Sequence, residues 1–350
     1  MSTKDDFHKN NAWVTYINPF RLVVPDAEDP LKVDLEEINS NTYNHGKLCR
    51  IVASVDLLES DEYKMLICYD GALAIPRAEK YRSKEDAVNF FNRIICQLQL
   101  AGVMCEAIDQ RDVVWGKLHE KRLIWPVELG ESVSSHLHSK LRMRLASSID
   151  TIILSNPQFI KVNNLLSALN QGDFVLKAIE NLTPSFLARG ITEIRYKNWS
   201  LALSNLWITV EQLTDHLWKS KFLSNSNNHP ENDINRRIDT MKTDNRTWST
   251  SVKQEILFQT GVIDSFVFER LYPARQARNR LVHDGKEVTE QVVRNLYLAI
   301  VKLICLSLNN PDVLVSGLDL ETVRPEGKKL NIQEDFEDWK EVFSDDQTIA

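Results

Sequence analysis

The segment Trp199-Ser-Leu-Ala-Leu-Ser-Asn-Leu-Trp-Ile-Thr-Val-Glu-Gln-Leu-Thr-Asp-His-Leu-Trp218 decides the fold of the C-terminal half. Leu203, Leu206, Trp207, Val210, Leu213, Leu217 and Trp218 return at helical spacing, which predicts an amphipathic helix with one face in a core. At about 100° per residue, Glu211 falls at the edge of the apolar arc, near the directions of Trp207 and Trp218. Part of its side chain is therefore covered, and a covered carboxylate needs a partner. Two compatible roles follow: an ion pair that ties two helices together, or a contact that orients a functional side chain from behind.

Working outward, Thr289-Glu290 can open a second helix, with Val292, Val293, Leu296, Ile300, Val301, Ile304 and Leu308 as its apolar face, running to about Asn309. Just before it stands Arg278-Asn279-Arg280-Leu281-Val282-His283, continued by Asp284-Gly285. Arginine grips a phosphate through paired charge-assisted hydrogen bonds, and histidine exchanges protons near neutral pH. The plain alternative is that Arg278 and His283 are ordinary surface residues at a helix end. Gly285 can supply a left-handed backbone at the C-terminus of the helix carrying Leu271 to Val282. On an unbroken helix, residues five apart point about 140° away from each other. Arg278 and His283 thus reach one phosphate only if the helix breaks or if two copies share the site.

The run Arg-Asn-x-x-x-His followed by Asp-Gly, downstream of Leu-Trp-Ile-Thr-Val-Glu-Gln-Leu, resembles the HEPN domains, especially the Apea-like branch found in bacterial defence proteins. The resemblance covers Pro184 to Asn309, a little over one third of the chain. It implies an all-α bundle, usually dimeric, that brings two such motifs together. In catalytic members it implies metal-independent endoribonuclease activity, whereas other members bind without cutting. Carried over by position, Arg278 and His283 are the catalytic pair, Asn279 the polar residue beside the arginine, and Glu211 the helix carboxylate.

RNA carries its own nucleophile in the 2′-hydroxyl and needs activation, alignment and charge neutralisation. His283 would take the 2′-hydroxyl proton or give one to the leaving 5′-oxygen, and Arg278 would stabilise charge on the phosphate. Asn279 would bond a phosphate oxygen or hold the motif's backbone. Arg275 and Arg280 extend the positive patch as RNA-backbone contacts or solvated charges. Trp248, in the polar connection from Asn225 to Ser251, would stack on a base or anchor the loop. Expected products are a 2′,3′-cyclic phosphate and a 5′-hydroxyl. No metal or other cofactor is called for: His136-Leu-His138 lacks accompanying ligands, and His119, His216 and His229 stand alone. There is no Walker loop and no Gly-rich dinucleotide fingerprint.

Composition suits a globular chain of two or three domains, with 350 residues, 43% of them hydrophobic and 26% charged. No signal peptide or apolar run of membrane-spanning length is visible, and Cys49, Cys68, Cys96, Cys105 and Cys305 form no close pair. A cytoplasmic protein with reduced thiols is the expectation. The net charge of −7 is uneven. Residues 184–309 carry 17 basic and 13 acidic side chains, a balance of +4, whereas residues 311–350 carry 4 and 11, a balance of −7. A basic patch on the bundle is compatible with this, and the acidic tail can oppose it. Phe336, Trp339 and Phe343 in that tail are spaced for one helix face that would dock and screen the site; the alternative is an ordinary packed or disordered terminus.

The N-terminal part reads as β-rich at Trp13–Val24, Lys47–Leu57 and Tyr63–Pro76. Ser83-Lys-Glu-Asp86 resembles a capping box ahead of a helix bearing Ala87, Phe90, Phe91, Ile94, Ile95 and Leu98. An extended stretch follows around Val113–Trp125, and Ser132–Ile149 and Pro157–Leu182 read as helices. The expected organisation is α+β: a mixed domain over 1–130 for sensing, substrate selection or structural support; connecting helices over 131–183; a HEPN-like bundle over 184–309; and an acidic tail over 310–350. The functional expectation is a metal-independent RNA endonuclease, dimeric, acting in bacterial antiphage defence or a toxin-like stress response, with a possible protein activator or inhibitor. The alternatives are a non-catalytic module binding RNA or protein, and a nucleotide-sensing regulator.

Overall fold

Apart from Lys47–Cys49, which is helical, and Arg21–Val24, which pairs elsewhere, the β-rich runs of the N-terminal third form one antiparallel sheet. The computed structural model describes residues 10–28, 46–57, 60–143, 158–225 and 236–308, and the elements and contacts given are those of these residues. The strands are β1 (Asn11–Tyr16), β2 (Arg21–Val24), β3 (Ile51–Leu57), β4 (Ser60–Cys68), β5 (Ala72–Pro76), β6 (Val114–His119), β7 (Leu123–Pro126) and β8 (Gln158–Lys161). Six of them follow the order β3-β4-β5-β1-β6-β7. In register, Val14 lies opposite Ala74 on one side and Val114 on the other. The outer strands approach each other where Arg50 bridges Leu123 and Ile51 N donates to Arg122 O (2.9 Å), so the sheet curls into a half-barrel. Ala12, Val14, Tyr16, Cys68, Ala72, Ala74, Val114 and Ile124 gather from five strands and their turns into the core of its inner face.

The expected single stretch Val113–Trp125 is a hairpin, β6 and β7, turned by Glu120 and Lys121 in left-handed conformation. A larger correction concerns Pro157–Leu182. Its first residues, Gln158–Lys161, form β8, which pairs in parallel with β2, and helix begins only at Val162. Pairing with Leu22, Val23 and Val24, all fully buried, overrides the helical reading of this short run.

The helices are α1 (Gly46–Cys49), α2 (Lys84–Leu100), α3 (Val133–Met143), α4 (Val162–Ala178), α5 (Pro184–Arg195), α6 (Trp199–Leu217), α7 (Arg237–Thr243), α8 (Thr250–Gln259), α9 (Ser265–Asp284) and α10 (Glu290–Ser307). The capping box at α2 is formed in full: Ser83 Oγ accepts from Asp86 N (3.1 Å) while the Asp86 carboxylate accepts from Ser83 N (3.1 Å). Pro184 occupies the first turn of α5, where its missing N–H costs nothing. The polar connection after Asn225 is partly helical, with α7 and α8 inside or beside it. Residues 144–157, 226–235 and 309–350, including His229 and the aromatic tail residues Phe336, Trp339 and Phe343, lie outside the described set.

Two buried arrangements fix the architecture. In the barrel, the fully buried Arg142 guanidinium of α3 donates from Nε to Asp70 (2.6 Å), from Nη2 to the same carboxylate (2.5 Å) and from Nη1 to Ile124 O (2.9 Å). His138, one turn earlier, stacks on Tyr16 (centroids 4.2 Å) and Phe20 (4.9 Å). In the helical half, α6 packs against α5, α8, α9 and α10. Gly190 of α5 lies where a side chain would meet Leu206 of α6, and Trp218, fully buried, donates to Met241 O (3.0 Å). The halves are joined by polar contacts: Ala107 N donates to Thr192 Oγ1 (2.8 Å), and Glu106 takes both Arg195 (2.9 Å) and the Tyr196 hydroxyl (2.8 Å).

Candidate functional site

The motif lies on α9, and the way that helix starts and stops decides where its side chains point. Asp264 caps the start by accepting from Val267 N (3.0 Å). At the other end Gly285, with φ 64°, returns its N–H to Leu281 O (3.1 Å) while Lys286 N reaches Arg280 O (3.3 Å). Between them the helix is unbroken, with Pro273 tolerated on its exposed side. Gly285 supplies the left-handed cap that its position suggests, and of the two alternatives, a helix broken between Arg278 and His283 or a site shared by two copies, the first is not found: the chain leaves the helix only after Asp284.

The phase of α9 separates the pair. Val267, Leu271 and Ala274 are buried and mark the inward row, and Arg278 continues it, four residues beyond Ala274, half-buried. Asn279, Arg280 and His283 are exposed. Arg278 Nη1 reaches Asn279 Oδ1 at 3.4 Å, at the long end of hydrogen-bond distance. Arg280 donates to Gln276 O (3.4 Å), and Arg275 stands over the Tyr272 ring, 5.4 Å from its centroid. Among the described residues no carboxylate pairs with Arg275, Arg278, Arg280 or His283, so this end of α9 presents cationic donors to solvent.

Glu211 of α6 is half-buried, as its position on the arc implies, and it accepts from Trp207 Nε1 (2.8 Å). That bond satisfies the carboxylate and the indole together, within one helix turn. Neither Arg278 nor His283 is within bonding distance of it. Trp248 is half-buried and packs against Trp218 (centroids 5.4 Å), so one face of its ring serves to anchor the connection. Lys253 of α8 is committed to Asp215 (2.9 Å).

His136 and His138 show no metal arrangement: His138 is sealed in the barrel core, and burial pushes its pKa down to about 4. Among the described residues no group of His, Cys, Asp and Glu is placed to hold a metal ion, and no helix is long and apolar enough to cross a membrane. All five cysteines are unpaired with one another; burial raises Cys68 to about 11 and Cys105 to about 12. Sequence reasoning passed over the buried Asp70–Arg142 pair and a group of cations at one end of the barrel, Lys64, Arg77 and Arg82. Only Arg77 carried a local signal, as a cation just past the end of a strand. No protein-family model, curated protein or solved structure matches this chain.

Proposed function

We propose that the chain is a metal-independent endoribonuclease of the HEPN type, acting as a homodimer in which Arg278 of one copy and His283 of the other address the same phosphate. The observation that carries this reading is the exposed end of α9, where cations, an amide and an imidazole stand together without a carboxylate partner among the described residues. An unpaired guanidinium beside an amide suits a phosphate, and the division of the pair between two sides of the helix favours a composite site. In the reaction the RNA 2′-oxygen bonds to phosphorus and the bond from phosphorus to the 5′-oxygen breaks. The 2′-hydroxyl proton is lost and the 5′-oxygen gains one, with His283 handling one of these transfers and Arg278 balancing charge on the phosphate oxygens.

A second reading has its own support. Glu211 is occupied by Trp207 rather than by either member of the pair, which suits a module that binds RNA through α9 without cutting it. Incubation of purified protein with mixed cellular RNA in EDTA separates the two. Cleavage with 5′-hydroxyl ends that is lost in His283→Ala supports the nuclease. RNA binding with no new ends under any condition supports the binding module, and a strict monomer by light scattering that cuts RNA rules out the composite site.

A further inference from the structure

The half-barrel is filled at one end and hollow at the other. Near Tyr16 its inner face is plugged by Arg142 and His138 of α3, both buried. Toward the start of β1 and the end of β5 the inner side chains become small, with Ala12 and Ala74 on the lining. A cavity of about 640 Å³ opens there. Its walls are apolar, from Leu66, Leu118 and Ile124, with the exposed ring of Tyr63 at the edge.

The charges around this cavity are of one sign. Lys64, Arg77 and Arg82 belong to its lining, and no aspartate or glutamate does. Arg77 is held by stacking over Trp13 (4.2 Å to the ring centroid) and Trp115 (5.4 Å), contacts that leave its N–H groups available, and among the described residues neither Arg77 nor Arg82 meets a carboxylate. Lys64 is shared with Asp56 (3.1 Å), an exposed pair that water already weakens. The lining also includes Asn11, whose Oδ1 is buried without a hydrogen-bond partner among the described residues. A cavity of this size, apolar inside with a few polar groups at its mouth, has the proportions of a small-ligand site.

We infer that the open end of the half-barrel binds a small amphipathic anion, its apolar body against Leu66 and Leu118 and its acid group at Arg77 and Arg82. The inference is independent of the reading of α9. The probe pair that tests it is 8-anilinonaphthalene-1-sulfonate and its uncharged parent N-phenyl-1-naphthylamine, titrated by fluorescence into the full-length protein. One sulfonate probe binds per chain, roughly tenfold tighter than the uncharged parent, as one charge-assisted contact supplies. The double variant Arg77→Glu/Arg82→Glu, at two exposed positions, removes that preference and leaves binding of the uncharged probe in place. Leu118→Glu weakens both probes. Absence of saturable binding, equal affinity for the two probes, or sulfonate binding unchanged in both variants overturns the assignment. Circular dichroism matching the parent protein in the rim variant ensures that loss of preference is read from a folded chain.

Discussion

Arg278 and His283 stand on the same unbroken helix, five residues apart, one continuing the inward row of Val267, Leu271 and Ala274 and the other facing solvent. Their directions differ by about 140°, so the two side chains leave the helix on diverging courses. In the proposed nuclease each phosphate is accordingly addressed by Arg278 of one copy and His283 of the other.

That geometry makes a complementation test decisive. Arg278→Ala and His283→Ala are each expected to cut RNA at least a hundredfold more slowly, the usual range for removing one acid–base or charge-stabilising group. Mixed and allowed to exchange subunits, the two inactive proteins should recover about a quarter of wild-type activity, because half the dimers are mixed and each of those holds one intact composite site. No recovery after proven exchange would place both residues of a working site in one chain.

The Asp70–Arg142 pair is expected to behave asymmetrically. Asp70→Ala leaves a fully buried guanidinium without its carboxylate and should lower unfolding free energy by about 3–5 kcal/mol. The double replacement Asp70→Leu/Arg142→Met should cost markedly less, since it removes both charges from the interior. Urea unfolding of the three proteins checks the order; a double variant as unstable as the single one would show that packing, not charge, dominates here.

His138 gives the acid side of the stability profile a defined slope. Its folded pKa of about 4 lies below the ordinary 6.5 because burial between Tyr16 and Phe20 opposes the charged ring. Between those values the unfolded chain binds the proton and the folded chain does not, so stability falls as pH drops from about 6.5 to about 4. The full effect is on the order of 3 kcal/mol. His138→Phe keeps a ring in the stack and should flatten this part of the profile in melts taken across that range; an unchanged slope would assign it to other groups.

Glycine content predicts two graded costs. A methyl group built on Gly172 of α4 overlaps the Gln97 backbone of α2, so Gly172→Ala should lose roughly 1–3 kcal/mol through forced separation of the helices. Gly285 has open space around it and only its positive φ to satisfy, so Gly285→Ala should lose about 1 kcal/mol. Thermal melts of both variants test the ranking, and a Gly285 substitution more damaging than the Gly172 one would reverse it.

Local signals carried much of this molecule. The periodicity from Trp199 onward gives α6 to within a residue, and Ser83 with Asp86 marks the start of α2 before any contact is known. The turn-bounded runs give the strands of the curled sheet. Contacts distant in sequence left no such mark. Asp70 meets Arg142 across 72 positions, and β8 becomes a strand because Arg21–Val24 lies beside it, although its own four residues resemble the start of a helix. α8 escaped notice for a different reason: only Lys253, Gln254 and Leu257 are buried, so it has no continuous apolar stripe. At α9 the residue types and the cap at Gly285 were legible, while the choice between a broken helix and a continuous one was not, because it depends on whether the helix runs uninterrupted to Asp284.

The parallel pairing of β2 with β8 sets a timetable for synthesis. Arg21 emerges from the ribosome 137 residues ahead of its contact at Gln158. At roughly 5–20 residues per second that interval is on the order of ten seconds. Throughout it one edge of a strand carrying Leu22, Val23 and Val24 is without its neighbour, though Val23 can already reach Tyr69 O (2.7 Å) once that turn has formed. The nascent chain thus passes through a period in which an apolar strand edge is open to any extended peptide nearby, and slowing translation between residues 70 and 158 would lengthen that window.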